Sequence, residues 1–276
     1  MRPVEKRGLP ADPFGPPLVA YLLQKLGPYC SFCERPLPDE CWLWDKSSGF
    51  QLSSALIPIT QTAVNWSDLF ILDRNCALAH EQRRAYYRQA LGGLLLMPDD
   101  DEPSFRVRGP SPITYSLKKF QSIVIDEEGK EITRTDVDAV LATGFTDEAI
   151  RTIEHFGLNT RYYDQATGVF RIPEDEYDSA YDRRVSQRTE AWRMAERLAG
   201  IIANTEESEF QNRLIDEARL TIAAAGFWST WATVLSEQIS STGTLLRLLR
   251  APDELEWTAG PGPHNTFPGT RTDWIQ

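Results

Sequence analysis

All four cysteines of this chain lie within its first 76 residues, at Cys30, Cys33, Cys41 and Cys76, and the 276 − 76 = 200 residues that follow contain none. Thiols segregated in this way point to a local site, and in a reducing compartment a CxxC pair is more often a metal or redox motif than a structural disulfide. Cys30-Ser-Phe-Cys33 sits at the tip of a predicted turn, and Cys76 followed by His80 supplies a second pair, CxxxH. Two ligand pairs of thiolate and imidazole are what a closed tetrahedral Zn²⁺ site needs. Asp73, three residues before Cys76, is an alternative fourth ligand to His80, because a carboxylate is also an acceptable zinc donor. The competing reading is a set of reduced thiols packed in an ordinary core. Cys41, in the strand-like CWLW, is expected to pack rather than coordinate.

Composition narrows the remaining choices. With 29 Lys+Arg against 40 Asp+Glu the net charge is −11, so general nucleic-acid affinity is weak and any such contact must use local basic patches. At 41% hydrophobic, with 8 Trp, 9 Tyr and 12 Phe, the chain can fill a sizeable core. No apolar run is long enough to span a bilayer and the first residues lack a secretory apolar region, so the expected location is cytoplasmic, without a membrane partner. Gly-rich phosphate loops, GxSxG and HExxH are absent from the sequence.

The order of local signals predicts an α+β chain: a Pro-rich arm and short helix over 1–27, a small zinc-type module with its following helix over 28–97, and an exposed linker over 98–112. A mainly α-helical domain over 113–250 and an extended tail over 251–276 complete it. Within that domain, residues 120–125 predict a strand ending in an acidic turn, and Thr146 caps a helix running to His155. Apolar periodicity predicts helices at 178–204, 207–226 and 228–249 forming a bundle. Arg184 and Arg188 lie one turn apart at the end of an apolar stripe. They are candidates for gripping a phosphate or a partner carboxylate, against internal pairing with the acidic residues 174–178. Arg83, Arg84 and Arg88 beside Tyr86 and Tyr87 have the basic and aromatic mixture used on nucleic-acid backbones, against a plain solvated helix face. His155 and the Trp228/Trp231 pair read as structural.

The segment Tyr29-Cys-Ser-Phe-Cys-Glu-Arg-Pro-Leu-Pro, a strand, and then Asn65-Trp66-Ser-Asp68-Leu-Phe-Ile-Leu-Asp73-Arg-Asn-Cys76 resembles the ββα-metal module of HNH endonucleases, most of all the branch found in Septu and retron-associated antiphage systems. Gly157-Leu158-Asn159, Asp182-Arg183-Arg184 with Arg188, and Gly226-Phe227-Trp228-Ser229-Thr230-Trp231 are similar to the C-terminal helical region of that branch. The resemblance implies a small HNH-like zinc module packed on a helical body, and a partner such as the ABC-type ATPase of Septu-like systems, with DNA as a possible ligand.

It also implies a damaged catalytic site. In the family a His ending the first strand activates the attacking water, and neighbouring acid, Asn or His groups hold one divalent metal on the scissile phosphate. That His corresponds to Asp45, preceded by Trp44. The Asn after the Trp corresponds to Asp68, the first Cys of the second pair to Asp73, and the Asn after the second Cys to Ala77; His80 remains. The expectation is therefore a pseudo-nuclease subunit with structural zinc. The alternative is an active metal-dependent DNA endonuclease using Asp45, Asp68 and His80 in altered roles, with Mg²⁺ or another divalent metal as a cofactor in that case alone.

Overall fold

The computed structural model describes residues 1, 22–23, 26–37, 41–47, 51–53, 68–83, 95–99, 105–106, 109–125, 128, 130–159, 163–164, 169–171, 182–205 and 208–250. The expected tail 251–276, most of the N-terminal arm, the acidic residues 174–178, and Arg84 and Arg88 lie outside them.

The chain is α+β, as its signals predict. A first sheet is three-stranded and antiparallel, in the order β2-β1-β3, with β1 Trp42–Asp45, β2 Gln51–Ser53 and β3 Leu69–Leu72. Trp42 pairs with Ser53 on one side and Leu72 on the other, and Trp44 pairs with Phe70. All four residues of β3 are buried, so its run Leu-Phe-Ile-Leu is a core strand without alternation. Helix α1, Arg74–Arg83, follows after the single residue Asp73.

The region 113–250 departs from the expected helical domain in its first third. Residues 113–144 form a long hairpin, β4 Ile113–Ile125 and β5 Glu131–Gly144, in register from Ile113↔Gly144 to Lys119↔Asp138 and beyond. This hairpin joins β6 Tyr163–Asp164 and β7 Val169–Arg171 in a second sheet of order β5-β4-β7-β6. The strand expected at 120–125 is the distal end of β4. Its proximal end alternates buried Ile113 and Tyr115 with half-buried Thr114 and Ser116, the two-residue period of a strand. In β5 the run Ala139–Ala142 is buried without a break, so charged neighbours such as Asp138 hide the strand from a periodicity argument. The expected exposed linker is also corrected where it is described: Phe105 is buried edge-on against Trp228 and Ser111 is buried with its hydroxyl bonded to Arg106.

Helix α2, Asp147–His155, begins as predicted, with the Thr146 hydroxyl accepting from the Ala149 N–H at 3.2 Å. The helical layer comprises α3 Arg184–Ala203, α4 Ser208–Ala225, α5 Trp228–Gln238 and α6 Thr242–Leu248. The single helix expected over 228–249 is therefore two, divided at Ile239–Ser241, where the Ser241 hydroxyl caps α6 through the Thr244 N–H. α3 packs on α4, α5 and β5, while α5 reaches β4, so the helices cover the second sheet as well as one another. No helix among the described residues is long and apolar enough to cross a membrane.

The two halves share one core. Phe32 of the CSFC turn stacks on Phe156 after α2, with ring centroids 3.7 Å apart, and touches Trp44 of β1 and Phe70 of β3. Trp228 and Trp231 are fully buried, in agreement with their reading as core.

Candidate metal centre

The CSFC segment folds as a tight turn because its ends pair: Tyr29 bridges Pro36, the Cys30 N–H donates to Arg35 O at 2.9 Å, and the Glu34 N–H donates to Cys30 O at 3.0 Å. Closing the turn puts Glu34 at φ 65°. Ser31 fastens the turn to the first sheet, its N–H donating to Ile71 O at 2.8 Å and its hydroxyl accepting from the Ile71 N–H at 3.2 Å. This places both knuckle thiols over the junction of β3 and α1. There Asp73 acts as the helix cap, with Oδ1 accepting from the Cys76 N–H at 2.7 Å.

The result is a buried group of Cys30, Cys33, Asp73 and Cys76 whose ligand atoms all lie within 4.8 Å of one another. Three thiols and a carboxylate are a donor set for a borderline cation such as Zn²⁺. A second observation fits: among the described residues the buried Asp73 Oδ2 has no hydrogen-bond donor, and the Arg35 guanidinium lies 3.8 Å away. A carboxylate oxygen left so in the interior is costly unless something occupies it. Burial and the Cys33 thiol raise the Asp73 carboxyl to about 7. Burial and Cys30 push the Cys33 thiol up to about 12, and burial with both neighbouring thiols raises Cys76. At Cys30 burial acts in the same direction, but hydrogen bonds from Cys33 and Cys76 outweigh it and hold the thiol well below its ordinary range. Left to themselves Cys33 and Cys76 retain their protons, whereas Cys30 gives its own up readily, and the two protonated thiols bind a cation by releasing theirs.

Of the two expected fourth ligands, the structure brings Asp73 to the thiols. His80 is buried elsewhere on α1, its Nδ1 2.7 Å from His155 Nε2 and its ring against Trp44 at 5.4 Å. Burial, then the neighbouring His80 and Arg83, lower the His155 imidazole to about 3. Cys41 is buried outside the cluster, as expected.

The remaining candidates divide. Asp45, at the end of β1, accepts from the Ser47 N–H at 2.9 Å and hydroxyl at 2.7 Å, and both it and Asp68 are half-buried. Their backbones are close, since Asp45 pairs with Leu69 and the Lys46 N–H donates to Asp68 O. Among the described residues, however, Asp45, Asp68 and His80 do not converge on a common point; the Cys30, Cys33, Asp73 and Cys76 group is the one that does. Arg83, half-buried, donates to His155 O at 3.1 Å.

Arg184 and Arg188 are not free to grip an external phosphate or partner. They are 2% and 1% exposed. Arg184 is paired with Asp182 and donates to Phe156 O at 2.8 Å and to Cys76 Sγ at 3.1 Å; the acidic residues 174–178 expected as its partners lie outside the described residues. Arg188 donates to Val140 O and Leu158 O, and its guanidinium lies 5.2 Å from the Tyr115 ring centre. Asn159 completes this wiring by exchanging two hydrogen bonds with the backbone of Ala142 in β5. Sequence reasoning missed the role of Ser31 and the sulfur contact of Arg184, which act across 40 and 108 residues and which no spacing rule carries; it named Asp182 but did not weigh its pairing with Arg184, two residues on.

No protein-family model matches the chain, and neither the curated proteins nor the solved structures contain a detectable relative.

Proposed function

We propose that this chain is an HNH-endonuclease-like protein of a bacterial antiphage system, in which a structural zinc is kept and the nuclease site is degenerate, so that it serves as a binding or regulatory subunit beside an ABC-type ATPase or a similar partner in the cytoplasm. The observation that carries the metal part is the buried Cys30, Cys33, Asp73 and Cys76 group with its orphaned carboxylate oxygen. Cys30, Cys33, Asp73 and Cys76 would hold the ion, which supplies cross-linking of turn, strand and helix rather than chemistry. Asp73 stands where the resembling family carries the first Cys of its second pair. The order of knuckle, strands and helix also suits that family.

The catalytic part rests on Trp44 and His80. A water-activating base must reach solvent and substrate, whereas His80 is fully buried between His155 and Trp44. A carboxylate is intrinsically a weaker base than the imidazole that the resembling family carries at the position of Asp45. Loss of a general base removes about 10²–10⁴-fold in rate, and loss of metal ligands removes the Lewis acid as well. A second reading, an active endonuclease with altered residues, draws on the half-exposed carboxylates Asp45 and Asp68 at one end of the first sheet.

Supercoiled plasmid incubated with Mg²⁺, Mn²⁺ or Ni²⁺ separates the two. The expected result is no EDTA-sensitive nicking by the wild type. Cutting that Asp45→Ala abolishes would establish the second reading instead, and cutting that appears in Asp45→His would identify a decayed site on an intact scaffold.

A further inference from the structure

A cation bound by three thiolates and a carboxylate leaves the centre with a formal charge of 2 − 4 = −2, enclosed in residues that are all buried. Such an excess is not stable in the interior without compensating charge or hydrogen bonds. Among the described residues two arginines face it. Arg35, about a quarter exposed, lies on the Asp73 side at 3.8 Å. Arg184 is buried and aims one Nη1 N–H at Cys76 Sγ, 3.1 Å away. The same guanidinium is fixed in direction: Nε and Nη2 are held by both oxygens of Asp182, the backbone N–H of Arg184 also donates to Asp182 Oδ1 at 3.0 Å, and Nη1 reaches Phe156 O. Asp182 in turn accepts from Asn75 of α1 at 3.4 Å.

Asp182 occupies Nε and Nη2 and Phe156 O takes one Nη1 N–H, which leaves an Nη1 N–H aimed at Cys76 Sγ; a thiolate there accepts it as a charge-assisted hydrogen bond, stronger than a neutral thiol would make. We infer that Arg184, oriented by Asp182, is a positioning residue of the metal centre: it stabilises Cys76 as a thiolate ligand and sets the electron donation of that sulfur to the ion. The inference rests on the reading of the cluster as a metal site. It also explains why so buried a cation stands at the first residue of α3: through Asp182 and Phe156 the arginine joins the ligand helix α1 to the start of α3 and the end of α2.

Arg188 provides the control. It is as buried, on the same helix, one turn away, and its bonds run to backbone carbonyls of Val140 and Leu158 rather than to the cluster. The full-length protein is prepared as wild type, Arg184→Met, Arg184→Lys, Asp182→Asn and Arg188→Met, and Zn²⁺ affinity is measured by competition with a chromophoric chelator. Arg184→Met is expected to bind Zn²⁺ about 10–100-fold more weakly, the usual consequence of removing an outer partner of a ligand. Arg184→Lys should recover part of the loss and Asp182→Asn should show an intermediate one. Arg188→Met should melt lower without a change in affinity. In the Co²⁺-substituted proteins the thiolate-to-metal charge-transfer band should move to longer wavelength in Arg184→Met and stay in place in Arg188→Met, because losing an N–H···S bond raises the energy of the sulfur lone pairs.

An unchanged band and affinity in Arg184→Met, or equal weakening in Arg184→Met and Arg188→Met without a band shift, would overturn the inference while leaving the metal site intact. A wild type that takes up neither Zn²⁺ nor Co²⁺ would instead overturn the metal reading and the inference with it. Should Arg184→Met not fold, Asp182→Asn carries the same comparison, since it loosens the guanidinium and leaves every ligand in place.

Discussion

Asp73 does two jobs with two oxygens. Oδ1 caps α1 at the Cys76 N–H, and Oδ2, with no hydrogen-bond donor among the described residues, is placed where it could hold a cation. Asp73→Asn keeps the cap and removes the negative charge, so the purified variant should contain markedly less zinc by elemental analysis and melt at a lower temperature. His80→Gln should retain the zinc of the wild type, and its cost should be that of a disturbed buried hydrogen bond, about 1–3 kcal/mol. The reverse pattern would identify His80 as the ligand. At the partner ring, acidification is the informative variable. The unfolded chain protonates His155 near its ordinary pKa of 6.5, whereas the folded chain resists until about 3 because of burial and the proximity of His80 and Arg83. Between those values the unfolded state binds more protons, so stability falls as the pH falls, by at most about 1.4 kcal/mol per pH unit from this group. Denaturant midpoints measured from pH 6.5 to 4.5 should therefore decline less steeply in His155→Gln than in the wild type.

At the scale of elements, the joint between the CSFC turn and α5 governs how the two halves meet. Gly226 and Phe227 both adopt positive φ, 66° and 53°, which turns the chain so that the Phe227 N–H donates to Glu34 O at 2.9 Å. The Glu34 carboxylate then accepts from the Ser229 N–H at 2.7 Å and its hydroxyl at 2.6 Å, placing a negative charge at the N-terminus of α5, where the helix dipole favours it. A Cβ on Gly226 would stand 2.6 Å from both Glu34 O and Pro36 Cδ. Gly226→Ala therefore incurs about 1–3 kcal/mol for the backbone conformation alone, with the clash added. At roughly 2–4 °C per kcal/mol for a chain of this size, the melting temperature should fall clearly. Gly200→Ala in α3, where a Cβ meets nothing within 4 Å, should instead be neutral or slightly stabilising.

For the molecule as a whole, these joints mean that the candidate metal centre is not a detachable finger. The turn that carries Cys30 and Cys33 also carries Phe32, stacked on Phe156, Glu34, bonded to Ser229, and Tyr29, whose hydroxyl donates to Ala223 O at 2.6 Å. An ion bound to the folded state contributes stability in proportion to the logarithm of its concentration over Kd. Chelation should accordingly lower the melting temperature of the entire protein in one cooperative transition, seen alike by circular dichroism and by tryptophan fluorescence. Two separated transitions would show that the module and the helical layer fold independently.

The sequence by itself determined the local chemistry: thiols at a CxxC turn, a carboxylate and a thiol three residues apart at a helix start, the Thr146 cap, and the apolar periods of α3 and α4. Such features depend on neighbours within a turn of helix or a tight loop, so spacing carries them. The structure decided between Asp73 and His80 as companion of the thiols, because both spacings from Cys76 are compatible with a ligand and the choice rests on which face of α1 meets the knuckle. It decided that 113–144 is a hairpin: alternation is legible over only a few residues at the start of β4, and β5, buried without a break over Ala139–Ala142, has no distinctive period. It also turned Arg184 and Arg188, which read equally well as ligands of an external anion, into internal partners of Cys76, Asp182, Val140 and Leu158. A charged side chain at the edge of an apolar stripe is exposed or buried according to what is packed over it, and that is settled by elements distant in sequence.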